Sequence, residues 1–95
     1  MRIKVKYFAY VRDLVKDKTQ EDIIVEKPIT LRELLEILIE KYGKELENYL
    51  LKKTGNNIKI AEKIIILVNG ESTDNLSYKL KDNDTVSIMP FLGGG

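Results

Sequence analysis

Hydrophobic and polar residues alternate almost from the first position. In "RIKVKYF" (2–8), Ile3, Val5 and Tyr7 fall on one side, and Lys4, Lys6 and Phe8 on the other. This period of two predicts a strand with one buried face. "AYVRDLVKDK" (9–18) sets Val11, Leu14 and Val15 at helical spacing for a turn or two, then runs into the polar "DKTQED". "DIIVEK" (22–27) reads as a second strand closed by Pro28. The period then changes. In "TLRELLEILIEKYG", Leu31, Leu34, Leu35, Leu38 and Tyr42 form one stripe and Glu33, Glu36 and Glu40 lie opposite, as in an amphipathic helix. Thr30 followed three residues later by Glu33 is a capping box, and Gly43 supplies the left-handed residue that ends such a helix. "KELENYLLKKTG" predicts a weaker second helical segment over 44–53, with Leu46, Tyr49 and Leu50 inward and Gly55 after it.

Beyond "NNIKIAEK", a polar connection with a short alternating piece at Ile58 and Ile60, the apolar "IIILV" (64–68) gives a strand. Asn69-Gly70 follows as a tight hairpin signal. "NLSYKLKDND" reads as a turn and a loop, and "TVSIM" (85–89) as the last strand, with Val86 and Ile88 alternating against Thr85, Ser87 and Met89. Pro90 is expected to stop further pairing. The order is thus strand, strand, helix, second helix, then three strands. It predicts an α+β fold with helices on one sheet face and the first and last strands as neighbours at the sheet centre. A ferredoxin-like arrangement needs a full helix between the last two strands, and there is no room for one.

Composition narrows the function more by what is missing than by its averages. With 95 residues the chain is one domain. Its 16 basic and 15 acidic residues nearly cancel, so no global field draws in nucleic acid or anionic lipid. The local pairs Lys4/Lys6 and Lys52/Lys53 read as solvated surface lysines. "IIILV" is far too short to span a bilayer, and "MRIKVKYF" has no apolar run of the signal-peptide kind, so a cytoplasmic protein without membrane contact is expected. The chain contains neither cysteine nor histidine. Disulfides, thiolate nucleophiles, Cys/His zinc sites and imidazole acid–base catalysis are therefore all excluded. "DND" (82–84) lacks the further ligands and bidentate glutamate of a calcium loop and reads as a turn. No phosphate loop exists, because Gly43, Gly55 and Gly70 are isolated.

That leaves the end of the chain, "MPFLGGG". The division expected is a folded domain over 1–89 and a flexible tail over 90–95, reaching roughly 20 Å when extended at about 3.3–3.6 Å per residue. Ordering glycine costs more than the roughly 1–2 kcal/mol typical of a residue, so a binding tail uses it only where side chains are forbidden. A narrow tunnel in a partner's active site is such a place, reached by the terminal carboxylate alone. Phe91 and Leu92 stand directly before the glycines, whereas a flexible remnant is usually polar. If the first and last strands are parallel neighbours, Phe8 and Met89 lie at the same end of the sheet. With one alternating set of 64–68 they would make an apolar docking patch around the root of the tail, unless the loop at 56–63 covers it.

The strand running into a short helix ("IKVKYFAYVRDLV"), the capped "TLRELLEILIEKY", the "VNGE" hairpin, "LKDNDTVSIMP" and the Gly-Gly end together resemble the MoaD/ThiS family of ubiquitin-like sulfur carriers. The resemblance covers nearly the whole chain. It implies a β-grasp (ubiquitin-like) fold with a mixed sheet, and a non-catalytic subunit whose chemistry sits at Gly95. It also implies a partner resembling ubiquitin-activating enzymes, which uses ATP with magnesium to adenylate that glycine before sulfur transfer makes it a thiocarboxylate. The chain itself is expected to bind no cofactor or metal. Gly94 and Gly95 match the family's paired glycines; Gly93, Leu92, Phe91, Met89 and Phe8 are the further partner-binding candidates. Length and the segment at 44–53 look more like the branch of the molybdopterin synthase small subunit than the shorter thiamine one. In that branch the tail enters the synthase large subunit and the sulfur goes to molybdopterin or its tungsten counterpart. The third glycine, Gly93, and Phe91 after Pro90 depart from the pattern and leave open a carrier for another pathway, such as thiamine or tRNA thiolation. A ubiquitin-like modifier joined through Gly95 to lysines of other proteins is the second reading, although no arginine precedes the glycines as in ubiquitin.

Overall fold

The alternating segments at the two ends of the chain pair with each other. The structure, a computed structural model, describes residues 1–91. The predicted sites Leu92, Gly93, Gly94 and Gly95 lie outside the described residues. The elements in order are β1 (Arg2–Tyr7), α1 (Val11–Leu14), β2 (Gln20–Ile24), α2 (Leu31–Tyr42), α3 (Lys44–Leu50), β3 (Leu51–Thr54), β4 (Asn57–Ile60), β5 (Ile64–Val68), β6 (Glu71–Ser72) and β7 (Thr85–Pro90).

Five strands form a sheet in the order β2-β1-β7-β5-β6, and β3 pairs with β4 in a separate two-stranded sheet. β1 and β7 run parallel, Val5 facing Val86 and Tyr7 facing Ile88, while β2 and β5 flank them antiparallel. The strand alternation decides which side is core. Ile3, Val5, Tyr7, Ile23, Ile64, Ile66, Val68, Val86 and Ile88 are buried on one face. α2 covers that face with Leu31, Leu34, Leu35 and Leu38, and α3 with Leu46 and Leu50. The result is the expected β-grasp: a mixed sheet with helices packed on one side.

α2 starts where the sequence says it should. The Thr30 hydroxyl accepts from the Glu33 amide at 3.1 Å, and the Glu33 carboxylate accepts from the Thr30 amide at 2.9 Å. Its end is less ordinary. Gly43 has φ +104° and ψ −171°, an extended positive-φ region open in practice only to glycine, rather than the left-handed helical conformation expected. The Asn69-Gly70 turn is realised with φ +52° and +87°, as a type I′ hairpin requires. Its Asn69 side chain donates to Asp84 at 2.9 Å and accepts from the Thr85 amide at 2.9 Å. The "DND" segment is also a turn: Asp82 accepts from the Arg2 amide and the largely buried Asp84 from that of Lys81, both at 2.7 Å.

Three further expectations need correction. β2 begins at Gln20 and ends at Ile24, not at 22–27. The residues 51–53 expected at the end of the second helix belong to β3, which turns at Gly55 and Asn56 into β4, so a hairpin replaces helix and polar connection alike. The ladder also runs on through Pro90, which faces Ile64, and the Phe91 amide donates to the Lys63 carbonyl at 2.6 Å. Proline is tolerated there for a geometric reason. Even-numbered positions of β7 face β1, where the Phe8 amide donates to the Ile88 carbonyl at 3.1 Å. The next bond would run from residue 90 to the Phe8 carbonyl, and that carbonyl accepts instead from the Val11 amide at 3.2 Å. A missing N–H therefore leaves nothing unpaired.

Candidate functional site

The parallel pairing of β1 and β7 fixes where their outward residues emerge. Phe8 leaves β1 and Met89 lies near the end of β7, both at the end of the sheet where the chain makes its last described contact. Phe91, two positions after Met89, shares its parity and is 54% exposed; Phe8 is 36% exposed. On β5 the outward set is Ile65 and Leu67, half-buried, with Ile65 directly opposite Met89. The structure thus brings Phe8, Met89 and Phe91 together and settles which half of "IIILV" joins them. The segment over 56–63 leaves Phe8 and Phe91 exposed and borders the patch only at Ile65, with which Lys59, Ala61 and Glu62 share a hollow.

The edges of the patch are less apolar. Lys6 and Lys63 continue the outward rows of β1 and β5. Ala9, at φ +54°, turns the chain sharply out of β1. The Arg12 guanidinium stands 5.8 Å from the Phe8 ring centroid, while its Nε donates to the Tyr7 carbonyl at 2.9 Å. That places a cation over an exposed aromatic face. Tyr10, half exposed, meets Tyr49 edge-to-face at 5.1 Å. Sequence reasoning missed Tyr10, Arg12 and Lys63. Their position depends on the turn at Ala9 and on the register of β5 against β7, neither of which leaves a periodic signal.

A second concentration of polar groups lies on the helix side. Glu21 points inward from β2 and is only 9% exposed. Its Oε2 accepts from the hydroxyls of Tyr7 and Tyr42, each at 2.5 Å, and its Oε1 from Lys41 at 2.5 Å and Lys18 at 3.4 Å. Burial would raise this carboxyl, but the donated hydrogen bonds, Lys41 first, outweigh it and hold it down at about 2. Burial and then the Glu21 carboxylate push the Tyr42 hydroxyl up to about 12, and Tyr7 is raised for the same two reasons. A carboxylate this acidic is a poor general base near neutral pH. Its partners come from β1, α2 and the loop before β2, so the cluster serves as a polar clamp between elements. Among the described residues no group of three carboxylates gathers as a metal site, and no helix is long and apolar enough to cross a membrane.

The chemistry open to the described surface is that of docking: an apolar patch, rimmed by cations, around a strand from which the chain continues to its carboxyl end. Comparison with known proteins places this arrangement. The model of the ThiS family matches residues 5–95. Urm1 from Trypanosoma brucei is 27% identical, over 99% of this chain and 95% of its own, with a TM-score of 0.79. Small archaeal modifier protein 1 from Methanosarcina acetivorans is also 27% identical, over 99% and 96%, with a TM-score of 0.79. A chain of the complex between subunits 1 and 2 of the molybdopterin-converting factor from Helicobacter pylori is 27% identical over the whole of both chains, with a TM-score of 0.63.

Proposed function

The chain belongs to the ThiS family of ubiquitin-like sulfur carriers, and from that premise we propose that its Gly95 carboxyl is a sulfur-carrying group worked on by partner proteins. The observation that carries the proposal is the apolar patch of Phe8, Ile65, Met89 and Phe91 on the strand that leads into "LGGG". A carboxylate is a poor electrophile. A partner resembling ubiquitin-activating enzymes makes it reactive by attack of the carboxylate on ATP, with magnesium, giving the acyl-adenylate and releasing pyrophosphate. Sulfide-level sulfur supplied by a donor then attacks the acyl carbon, displaces AMP and leaves the thiocarboxylate. Apart from the Gly95 carboxylate itself, the chain contributes no acid, base or nucleophile to these steps, consistent with its lack of cysteine and histidine. Its part is to dock through the patch and deliver Gly93, Gly94 and Gly95, which have no side chains, into the partner's site. The reading puts the protein in the cytoplasm, with its ATP-dependent partner.

As recipient of the sulfur we propose a molybdopterin or tungstopterin synthase, in which this chain is the small subunit and Leu92 and the glycines enter the large one. Full-length similarity to the Helicobacter pylori chain supports this. The comparable similarity to Urm1 and to a small archaeal modifier supports a second reading, attachment of Gly95 to lysines of other proteins. Intact-mass spectrometry of the chain from its own cells separates the two. A gain matching exchange of one carboxyl oxygen for sulfur is expected of the carrier, and high-mass lysine conjugates of the modifier. Chains that stay unmodified at Gly95, with the adenylating partner present, would refute both.

A further inference from the structure

The β3–β4 hairpin carries a charge arrangement that does nothing for its own stability. Its register sets Lys52 directly opposite Lys59. Directly paired residues have Cβ atoms about 4.5–5.5 Å apart, and like charges there are destabilising. Lys53, on the other face, is neutralised by Glu47 at 3.1 Å. Lys52, Lys59 and Lys63 are exposed, and among the described residues none of them has a carboxylate within 4.0 Å. Lys52 and Lys63 line one hollow of about 300 Å³ with Tyr49, and Lys59 lines the next, with Ala61 and Glu62 as the shared ridge. Glu62 and, in the second hollow, Asp74 oppose the lysines without pairing with them, and three lysines against two carboxylates leave the cluster net positive. The hollow also lies beside the chain's exit, because the Lys63 carbonyl holds the Phe91 amide.

We propose that Lys52, Lys59 and Lys63 receive an acidic segment of the adenylating partner that takes up the C-terminal glycines, an inference that rests on the reading of Gly95 above. The segment's carboxylates relieve the Lys52/Lys59 repulsion and orient the partner before the tail is threaded, which raises association rate and selectivity more than final affinity. A polypeptide fits better than a nucleic acid. The cationic area is only three lysines long, with Glu62 and Asp74 in the same two hollows, which suits a few carboxylates better than a run of phosphates whose binding depends on many neutralised charges.

Isotope-labelled full-length chain is titrated with hexaglutamate and, separately, with an oligouridylate of equal charge, following amide shifts by NMR. Shifts centred on Lys52, Lys59 and Lys63 with the peptide, abolished in K52E/K59E and in the milder K52Q/K59Q, are expected. Tighter binding of the oligouridylate, or peptide shifts elsewhere or absent, would overturn the proposal. In adenylation assays with the activating partner, K52E/K59E should lower kcat/KM about tenfold at low salt and much less near 0.5 M, where charge interactions are screened. An equal loss at both salts also overturns it. Deleting Gly95 tests the parent reading instead: it should abolish adenylation at every salt concentration yet leave the peptide titration unchanged.

Discussion

Met89 and Ile65 sit directly opposite each other on the uncovered face of the sheet, one step before the Phe91 amide meets the Lys63 carbonyl. The last described part of the chain is thus anchored on an apolar row. Met89→Asp and Phe91→Asp place a charge where a partner would have to desolvate it. Each should weaken binding to the adenylating partner by about 2 kcal/mol or more, roughly 30-fold, as read by calorimetry. Phe91 is 54% exposed, so its variant should melt like the parent. Ile24→Asp is the control, because Ile24 is 65% exposed and pairs with Arg2 at the far end of β1. It should bind normally, and a loss equal to that of Met89→Asp would remove the patch from the binding surface.

Gly43→Ala tests the joint between α2 and α3. A Cβ at this position would meet nothing within 4 Å, so any loss is backbone strain rather than collision. With φ at +104° and ψ at −171°, the substitution should cost about 1–3 kcal/mol in denaturant unfolding. A neutral result would mean that the joint relaxes to a conformation alanine accepts.

Much of this architecture is written in local patterns. β1 and β7 alternate cleanly, and α2 has both a stripe and a capping box, so each declares its buried face without reference to the rest of the molecule. β2 does not, because its inward residues are Ile23 and Glu21, and a carboxylate reads as solvent-facing until the hydroxyls of Tyr7 and Tyr42 are known to meet it. β3 is hidden in the same way: of "LKKT" only Leu51 packs against the core, and the strand exists because β4 pairs with it. The apolar patch was half legible. Phe8, Met89 and Phe91 follow from strand ends, whereas the choice of Ile65 and Leu67 over their neighbours needed the register of β5.

Thr30→Ala removes the acceptor for the Glu33 amide, and Glu33 no longer gains the hydroxyl donor it has at 3.1 Å. The Thr30 amide keeps its bond to the Glu33 carboxylate, so half of the capping box survives. The expected loss is about 1 kcal/mol by denaturant unfolding, without change in partner binding. Thr30→Asp should recover most of it, since aspartate also caps well. Failure of that rescue would show that the hydroxyl does not act as a cap, since the backbone bridge of Thr30 to Lys79 is kept in every one of these variants.

Glu21 makes the fold sensitive to acid in a predictable window. Its carboxyl titrates at about 2 when folded, against 4.5 as the reference for an exposed glutamate. A folded value below the unfolded one means that the stabilisation is complete above pH 4.5 and is lost as the pH falls toward 2. The full shift corresponds to roughly 3 kcal/mol, but Lys41 and Lys18 are 43% and 40% exposed, and solvent screening reduces this to about 1–2 kcal/mol. Glu21→Gln should therefore lower stability at neutral pH by that amount and flatten the decline between pH 5 and 2. The alkaline side moves in the opposite sense. Tyr42 is raised to about 12, so its contribution is whole below pH 10 and disappears as the pH climbs through 12. Removing the Glu21 charge should bring the Tyr42 titration down, read as tyrosinate absorbance. An unchanged acid profile together with an unshifted tyrosinate transition would show that the carboxylate does not join β1, β2 and α2 in solution.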